Sequence, residues 1–224
     1  MDFQDNLLTD FDEQLKRIEN LKWLPWIGQF YNKTRTVILG ESQYEDGDEW
    51  QEDNIDATRI LIGKGFYGSR GKIYSNAEKV LLSLDNPTQT QGNFLWKSVA
   101  YWNLVPRLMS TRDERPSDTD FDNGWKFFLN TVEVLNPKPT TCIVLGKSSC
   151  GRLGYHLNNN DTFWDRNVPE FYAEKKIINL SKNGHQLKLI FINHPSGSFG
   201  FDYEYWAKLI TDNEPNLRQL LTQS

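Results

Sequence analysis

Leu187-Lys188-Leu189-Ile190-Phe191-Ile192-Asn193-His194-Pro195-Ser196-Gly197-Ser198-Phe199 sets one of the chain's three histidines directly after a strongly apolar run. A short apolar run bounded by turn residues reads as a buried strand. Pro195 ends it, because proline cannot donate to a ladder, and Ser196, Gly197 and Ser198 follow as a flexible loop. In parallel α/β proteins, ligands bind beyond the carboxyl ends of the strands, so His194 marks a candidate active edge. Alone, His-Pro-Ser serves as readily as an ordinary turn. A second strand end shifts the balance: Val37-Ile38-Leu39-Gly40-Glu41-Ser42-Gln43-Tyr44.

Working outward, residues 6–20 put Leu7, Leu8, Phe11, Leu15 and Ile18 on one helical face. A first strand is predicted over 34–39, stopped by Gly40. A long polar, glycine-bearing insertion follows from about 45 to 72, the kind of stretch that forms a lid or holds short helices. Helical spacing returns over 73–84. Residues 94–105 contain a strand around Val99-Ala100-Tyr101-Trp102 that leads to Asn103. A helix over 121–135 is broken by Asn136-Pro137-Lys138-Pro139, and Thr141–Leu145 is a further buried strand closed by Gly146. Residues 176–180 and 187–192 flank Asn183-Gly184, a hairpin signal. Residues 202–221 close the chain as an amphipathic helix. Strands alternating with helices predict a mainly parallel sheet between helices. The expected fold is a three-layer α/β/α sandwich with a central, mainly parallel four-stranded sheet, built from 36–39, 99–102, 142–145 and 189–192, in a single domain spanning 1–224.

At 224 residues the chain can bury one full core. Eight Trp, nine Tyr and thirteen Phe supply it, and also supply rings for stacking on planar ligands. The net charge of −5 argues against coating nucleic acid through bulk charge, yet leaves room for a local basic groove. Cys142 and Cys150 suit a reduced compartment and are too few for a four-cysteine iron–sulfur site. No zinc pattern, signal peptide or membrane-length apolar run stands out. The reading is a soluble, cytoplasmic monomer that uses neither metal nor cofactor.

Three predicted strands thus end in residues able to do chemistry: Gly40 to Tyr44, Asn103, and His194-Pro195-Ser196. In these residues, over about 33–210, the chain resembles the uracil-DNA glycosylase superfamily. Gly40 to Tyr44 is similar to that family's first motif, of the Gly-Gln-Asp-Pro-Tyr or Gly-Glu-Ala-Pro-Gly type. His194-Pro195-Ser196 resembles its second motif, before the last helix. Asn103 occupies the position of the asparagine that reads the flipped base.

The resemblance implies cleavage of an N-glycosidic bond, which builds positive charge on the sugar and negative charge on the departing base. The base must first leave the stack for a pocket. His194 would then donate a hydrogen bond to the base's developing oxyanion. Asn103 would read the Watson–Crick edge, or else hold a turn as strand-terminal asparagines do. Where the uracil-specific branch has a water-activating aspartate, this chain has Ser42. A serine without a neighbouring base is a poor substitute, so Glu41 is the leading candidate to position water or stabilise the sugar cation. Its alternative role is capping backbone amides, and Glu45 and Asp46 are fallbacks. Tyr44 matches the position that walls off the base's 5-position.

Phe66 and Tyr67 are candidate platforms for stacking the base, followed by Trp50. The surrounding Ile62 to Lys72 segment is rich in glycine but lacks the Gly-Lys-Ser/Thr ending of a triphosphate-binding loop. It suits a clasp for DNA phosphates, helped by Lys64, Arg70 and Lys72. Arg107, Arg112, Arg115, Lys147 and Arg152 complete a candidate basic rim, each a solvated surface charge in the plainer reading. Ser196 and Ser198 belong to the DNA-binding loop, and Phe199 is the candidate wedge between bases. It could equally pack on the last helix.

The expected activity is therefore a monofunctional DNA glycosylase acting on uracil or a modified pyrimidine. The long insertion and the missing aspartate extend this to bulky modified bases such as those of phage DNA, a defence role. Two other functions fit the same edge: a catalytically weak sensor of DNA or abasic sites, favoured by Ser42, and a nucleotide or nucleoside hydrolase.

Overall fold

Every residue of Thr36–Gly40 is buried, as a strand covered on both faces requires. The computed structural model describes residues 4–45, 53–68, 70–111, 113–159, 165–167, 177–196 and 201–222. The strands among them are β1 (Trp26–Ile27), β2 (Thr36–Gly40), β3 (Gln43–Tyr44), β4 (Ala100–Asn103), β5 (Leu108–Met109), β6 (Thr141–Leu145), β7 (Asp165–Asn167), β8 (Ile177–Lys182) and β9 (His185–Ile192). The helices are α1 (Asp12–Leu15), α2 (Tyr31–Thr34), α3 (Ala57–Lys64), α4 (Lys72–Leu82), α5 (Gln89–Ser98), α6 (Asp118–Val134), α7 (Cys150–Asn159), α8 (Tyr203–Asn213) and α9 (Leu217–Thr222).

The main sheet runs in the order β1-β4-β2-β6-β9-β8-β7. The four strands expected from the sequence form its contiguous block, β4-β2-β6-β9, and all their pairings are parallel. The sheet is wider than those four strands. β1 adds on antiparallel at one side, and β8 and β7 add on antiparallel at the other. Asn183 and Gly184, at φ 49° and 79°, make the β8–β9 turn, the left-handed pair that a tight hairpin demands.

Alternate strand residues feed two cores. Val37, Leu39, Trp102, Val144 and Phe191 pack with Phe121, Trp125 and Phe128 of α6 and Leu15 of α1. Ile38, Tyr101, Ile143, Leu145, Ile190 and Ile192 pack with Val80 and Leu81 of α4, Trp96 of α5, and Trp206 and Leu221 of α8 and α9. Helices therefore cover both faces, and the period-2 alternation of the strands decides which residue serves which core.

Several helices differ from the sequence reading. Residues 6–20 do not form one helix. Leu7 bridges Gly28 and the Leu8 amide donates to Ile27 at 2.7 Å, so the edge strand β1 captures the segment. Leu7 then reaches one core while Phe11 and Leu15 reach the other. The helix foreseen over 202–221 is two helices, α8 and α9, because Pro215 falls between them and cannot continue α8. α5 went unforeseen, although Thr88 and Gln91 form a capping box at its start. The 45–72 insertion contains α3.

Arg70 links the end of that insertion to the core. Its Nε lies 3.1 Å from Glu78 Oε1, with the two side chains 6% and 8% exposed. Trp96 Nε1 donates to the same carboxylate at 2.7 Å, and Arg70 Nη2 donates to Asn93 Oδ1. Burial pushes Glu78 above and Arg70 below their ordinary pKa values, while each charge offsets the other's shift. The phosphate-clasp role expected for Arg70 gives way to a structural one, because a side chain this buried and paired cannot reach a ligand backbone. Arg70→Met should leave Glu78 as an unpaired buried charge and cost about 3–5 kcal/mol in urea unfolding. A loss below about 1 kcal/mol would show that the pair does not hold α4, α5 and the insertion together.

Candidate functional site

Because β4, β2, β6 and β9 are parallel, their carboxyl ends share one edge. The chain passes from β2 to β4 on one side, then returns to β6 on the other. This reversal opens a crevice between the β2 and β6 ends, the usual ligand position in such sheets. Glu41 follows β2 and Gly146 follows β6 at that crevice.

Gly146 adopts φ +129°, a conformation that favours glycine. A methyl group there would lie 3.1 Å from Glu41 Oε2 and 3.7 Å from His194 Cδ2. The carboxylate and the imidazole thus flank one point, which only a residue without a side chain leaves open. Ser148 Oγ donates a hydrogen bond to Glu41 Oε2. Trp125 Nε1 of α6 donates to Ser149 O at 2.9 Å and anchors that turn. The Glu41 carbonyl accepts from the Val105 amide at 3.0 Å, so backbone and side chain are both held.

His194 is half-buried. Its Nδ1 accepts the Ser196 amide at 3.3 Å, which makes Nε2 the protonated nitrogen of the neutral ring. The Pro195 carbonyl accepts from Asn76 Nδ2 of α4 at 2.7 Å, fixing the loop from the other side. Burial pushes the imidazole pKa below its ordinary 6.5; the Glu41 charge opposes this and the Arg115 charge adds to it. The site therefore holds a neutral histidine that presents one N–H donor.

Asn103 ends β4 opposite Gly40 and is 8% exposed. A side chain on Gly40 would collide with it, since an added methyl would sit 2.1 Å from Asn103 Oδ1 and 2.7 Å from the Tyr101 hydroxyl. Tyr101 donates to that Oδ1 at 2.9 Å. The Ser42 hydroxyl is buried without a hydrogen-bond partner among the described residues. Tyr44 is half-buried in β3, which pairs with β5, and its hydroxyl accepts from Arg115 Nη1 at 3.5 Å.

The remaining expected residues divide. Phe66 is 9% exposed, its ring 5.5 Å from that of Trp26, so it is core and not a stacking platform. Tyr67 is 51% exposed. Arg107 donates to both Asp120 oxygens at 2.6 and 2.8 Å and to Glu114 at 2.8 Å. Those bonds raise its pKa, and they pull Asp120 down to about 2. Arg152 is bonded to Asp122 and Asp118. Both arginines brace their own segments where a phosphate rim was expected, because nearby carboxylates claim them. Lys147 Nζ lies 4.4 Å from the Trp206 ring centroid, while Lys64, Lys72 and Arg115 are exposed. Glu45 is exposed and contributes its amide to Met109 O at 2.9 Å. Asp46, Trp50, Arg112, Ser198 and Phe199 lie outside the described residues.

Sequence reasoning missed Ser148, Asn76, Tyr101 and the part played by Gly146. The only available signal was Gly146-Lys147-Ser148 directly after a buried strand. No group of histidine, cysteine and acidic residues able to hold a metal occurs among the described residues, and no described helix is long and apolar enough to cross a membrane. No protein-family profile matches this chain, and no curated protein matches it.

The electrostatics can be tested by following the His194 ring signals by NMR as a function of pH. Glu41 favours the imidazolium and Arg115 disfavours it. Glu41→Gln should therefore lower the His194 pKa further below 6.5, and Arg115→Met should raise it. A titration unmoved by Glu41→Gln would mean that the carboxylate does not face the ring.

Proposed function

We propose that this chain is a monofunctional DNA glycosylase that hydrolyses the N-glycosidic bond of uracil or a modified pyrimidine flipped out of DNA. The reading carries with it the three-layer sandwich of the uracil-DNA glycosylase type. One observation supports it above the others: Glu41 and His194 flank the empty side of Gly146 on the edge where Asn103 ends its strand. β4 and β9 stand three strand spacings apart, about 14 Å. That span suits one pyrimidine ring with a hydrogen-bonding side chain at either end.

In this mechanism the C1′–N bond breaks and its electron pair leaves with the base. The His194 Nε2–H donates to the base oxygen that gains charge, a role for a neutral imidazole in a desolvated site. Glu41, aligned by Ser148, stabilises the positive sugar and orients the water whose oxygen bonds to C1′. The departing base takes up a proton, leaving free base and an abasic site. The Ser42 hydroxyl has no hydrogen-bond partner among the described residues, which supports Glu41 for this role. Exposed Arg115, whose charge is felt by His194, would pair with a phosphate flanking the flipped base.

Ser42 in place of an aspartate favours a second reading, a sensor that binds DNA or abasic sites without turnover. Incubation with oligonucleotides carrying unmodified, deaminated and bulky 5-substituted pyrimidines, then alkali, separates the two. Strand scission means glycosylase, and binding without scission means sensor. Release from bulky modified bases alone would point to defence against modified phage DNA. Turnover confined to free nucleotides would overturn both readings in favour of a small-substrate hydrolase.

His194→Ala should leave the fold intact and slow base release by about 10²-fold or more. Glu41→Gln should impair turnover while DNA binding, followed by fluorescence anisotropy, stays at the wild-type level. Wild-type turnover in Glu41→Gln would remove the carboxylate from the mechanism.

A further inference from the structure

Thr90, Asn93, Phe94 and Lys97 of α5 fall at the i, i+3, i+4, i+7 spacing that lines up along one helix face, a row about 10 Å long. With Phe30 and Lys33 they line a pocket of about 300 Å³. α5 leads into β4 and α2 leads into β2. The pocket therefore lies at the amino ends of those strands, on the opposite edge of the sheet from the crevice.

Its walls are tied together by backbone. The Phe30 amide donates to Lys97 O and the Gly28 amide to Val99 O, at 2.7 and 2.9 Å. Trp26 Nε1 donates to Trp96 O at 2.7 Å, and Thr34 Oγ1 donates to Ser98 O. Four successive carbonyls at the end of α5 are thus bonded to the 26–34 segment. A site fixed in this way spends little ordering entropy on a ligand.

The chemistry of the pocket is one-sided. Half-buried Phe30 and Phe94 form its apolar part, with ring centroids 5.6 Å apart and planes tilted by 38°. Lys33 Nζ lies 5.0 Å from the Phe30 centroid. None of the lining residues is acidic, and neither Lys33 nor Lys97 has a carboxylate partner among the described residues. Asn93 Oδ1 already accepts two bonds, from Arg70 Nη2 and from Gln89 Nε2 at 3.0 Å, so the group it has left is its Nδ2 pair of donors. Rings flanked by cations and donors complement a flat body that carries negative charge.

We propose that this pocket is a second binding site, for a small aromatic ligand bearing a phosphate or carboxylate group. The ligand's ring packs on Phe30 and Phe94, and its anion meets Lys33 and Lys97, with Asn93 Nδ2 and the Thr90 hydroxyl as neutral donors. A volume of about 300 Å³ is the lower end for small-molecule pockets and suits one ring with an anionic tail. The site stands independently of the glycosylase reading, because it shares no residue with the crevice.

Phenyl phosphate is the probe, with inorganic phosphate and phenol as its two halves. Binding is followed by NMR on the full chain, the Phe30 and Phe94 amides reporting the pocket and the Gly146 and His194 amides the crevice. Phenyl phosphate should shift the pocket amides and bind about fivefold or more tightly than either half. Lys33→Gln/Lys97→Gln changes two side chains that are not buried, so the fold stays intact, and it should remove the advantage over phenol. Adenosine monophosphate and phenylacetate then distinguish the two sources of such a ligand, the tighter binder naming its class as nucleotide or aromatic acid. Inorganic phosphate binding as well as phenyl phosphate would reduce the pocket to an adventitious charge, and phenol binding as well would reduce it to an apolar patch; either result overturns the proposal. So would shifts confined to the crevice amides, an unchanged affinity in Lys33→Gln/Lys97→Gln, or a pocket that answers only to an acidic peptide or a single-stranded oligonucleotide.

Discussion

Because β4, β2, β6 and β9 run parallel, four segments leave the sheet at one edge, and the chemistry-bearing residues of distant sequence regions meet there. Gly40, Asn103, Gly146 and His194 are separated by tens of residues, yet ladder registry sets each one's height. Gly40 opposite Asn103 and the Gly146 amide bonded to Ile192 O at 3.0 Å are the local expressions of that registry. A one-residue slip in a strand would turn its terminal side chains to the opposite face, separating Tyr101 and Asn103 from α4.

Around this edge the protein uses its charges in two ways. Arg70 and Glu78 are buried together, and Arg107 and Arg152 are matched to carboxylates; these pairs brace segments. At the crevice, Glu41 is instead held by a neutral serine and felt by a half-buried, neutral histidine. A carboxylate beside an uncharged imidazole keeps its negative charge available to a cationic centre. An N–H donor in a desolvated pocket is available to an anionic one. Such an arrangement matches reactions that separate charge across a breaking bond.

The elements around the crevice also explain its rigidity. α4 contributes Asn76 to the Pro195 carbonyl and packs Tyr74 edge-on against the Tyr101 ring, while α6 contributes Trp125 to the turn after β6. One helix from each side of the sheet thus pins a loop of the site. Side chains held by a second layer of hydrogen bonds lose less entropy on engaging a ligand.

The sequence by itself determined the four core strands, because apolar runs buried on both faces leave an unmistakable pattern. It determined that Glu41, Asn103 and His194 end strands, because glycine, proline and polar residues punctuate those runs. It misjudged residues 6–20, whose helical spacing lost to an edge strand offering backbone partners, and it overlooked the break that Pro215 imposes. Only the tertiary structure decided that Arg70, Phe66, Arg107 and Arg152 serve the scaffold, since a charge or ring looks the same in sequence whether or not a partner waits for it. It alone brought Ser148 to Glu41 and Tyr101 to Asn103 as working pairs. Local pattern records which residues must be buried, whereas hydrogen-bond partners across strands exist only once the sheet has set its order and register.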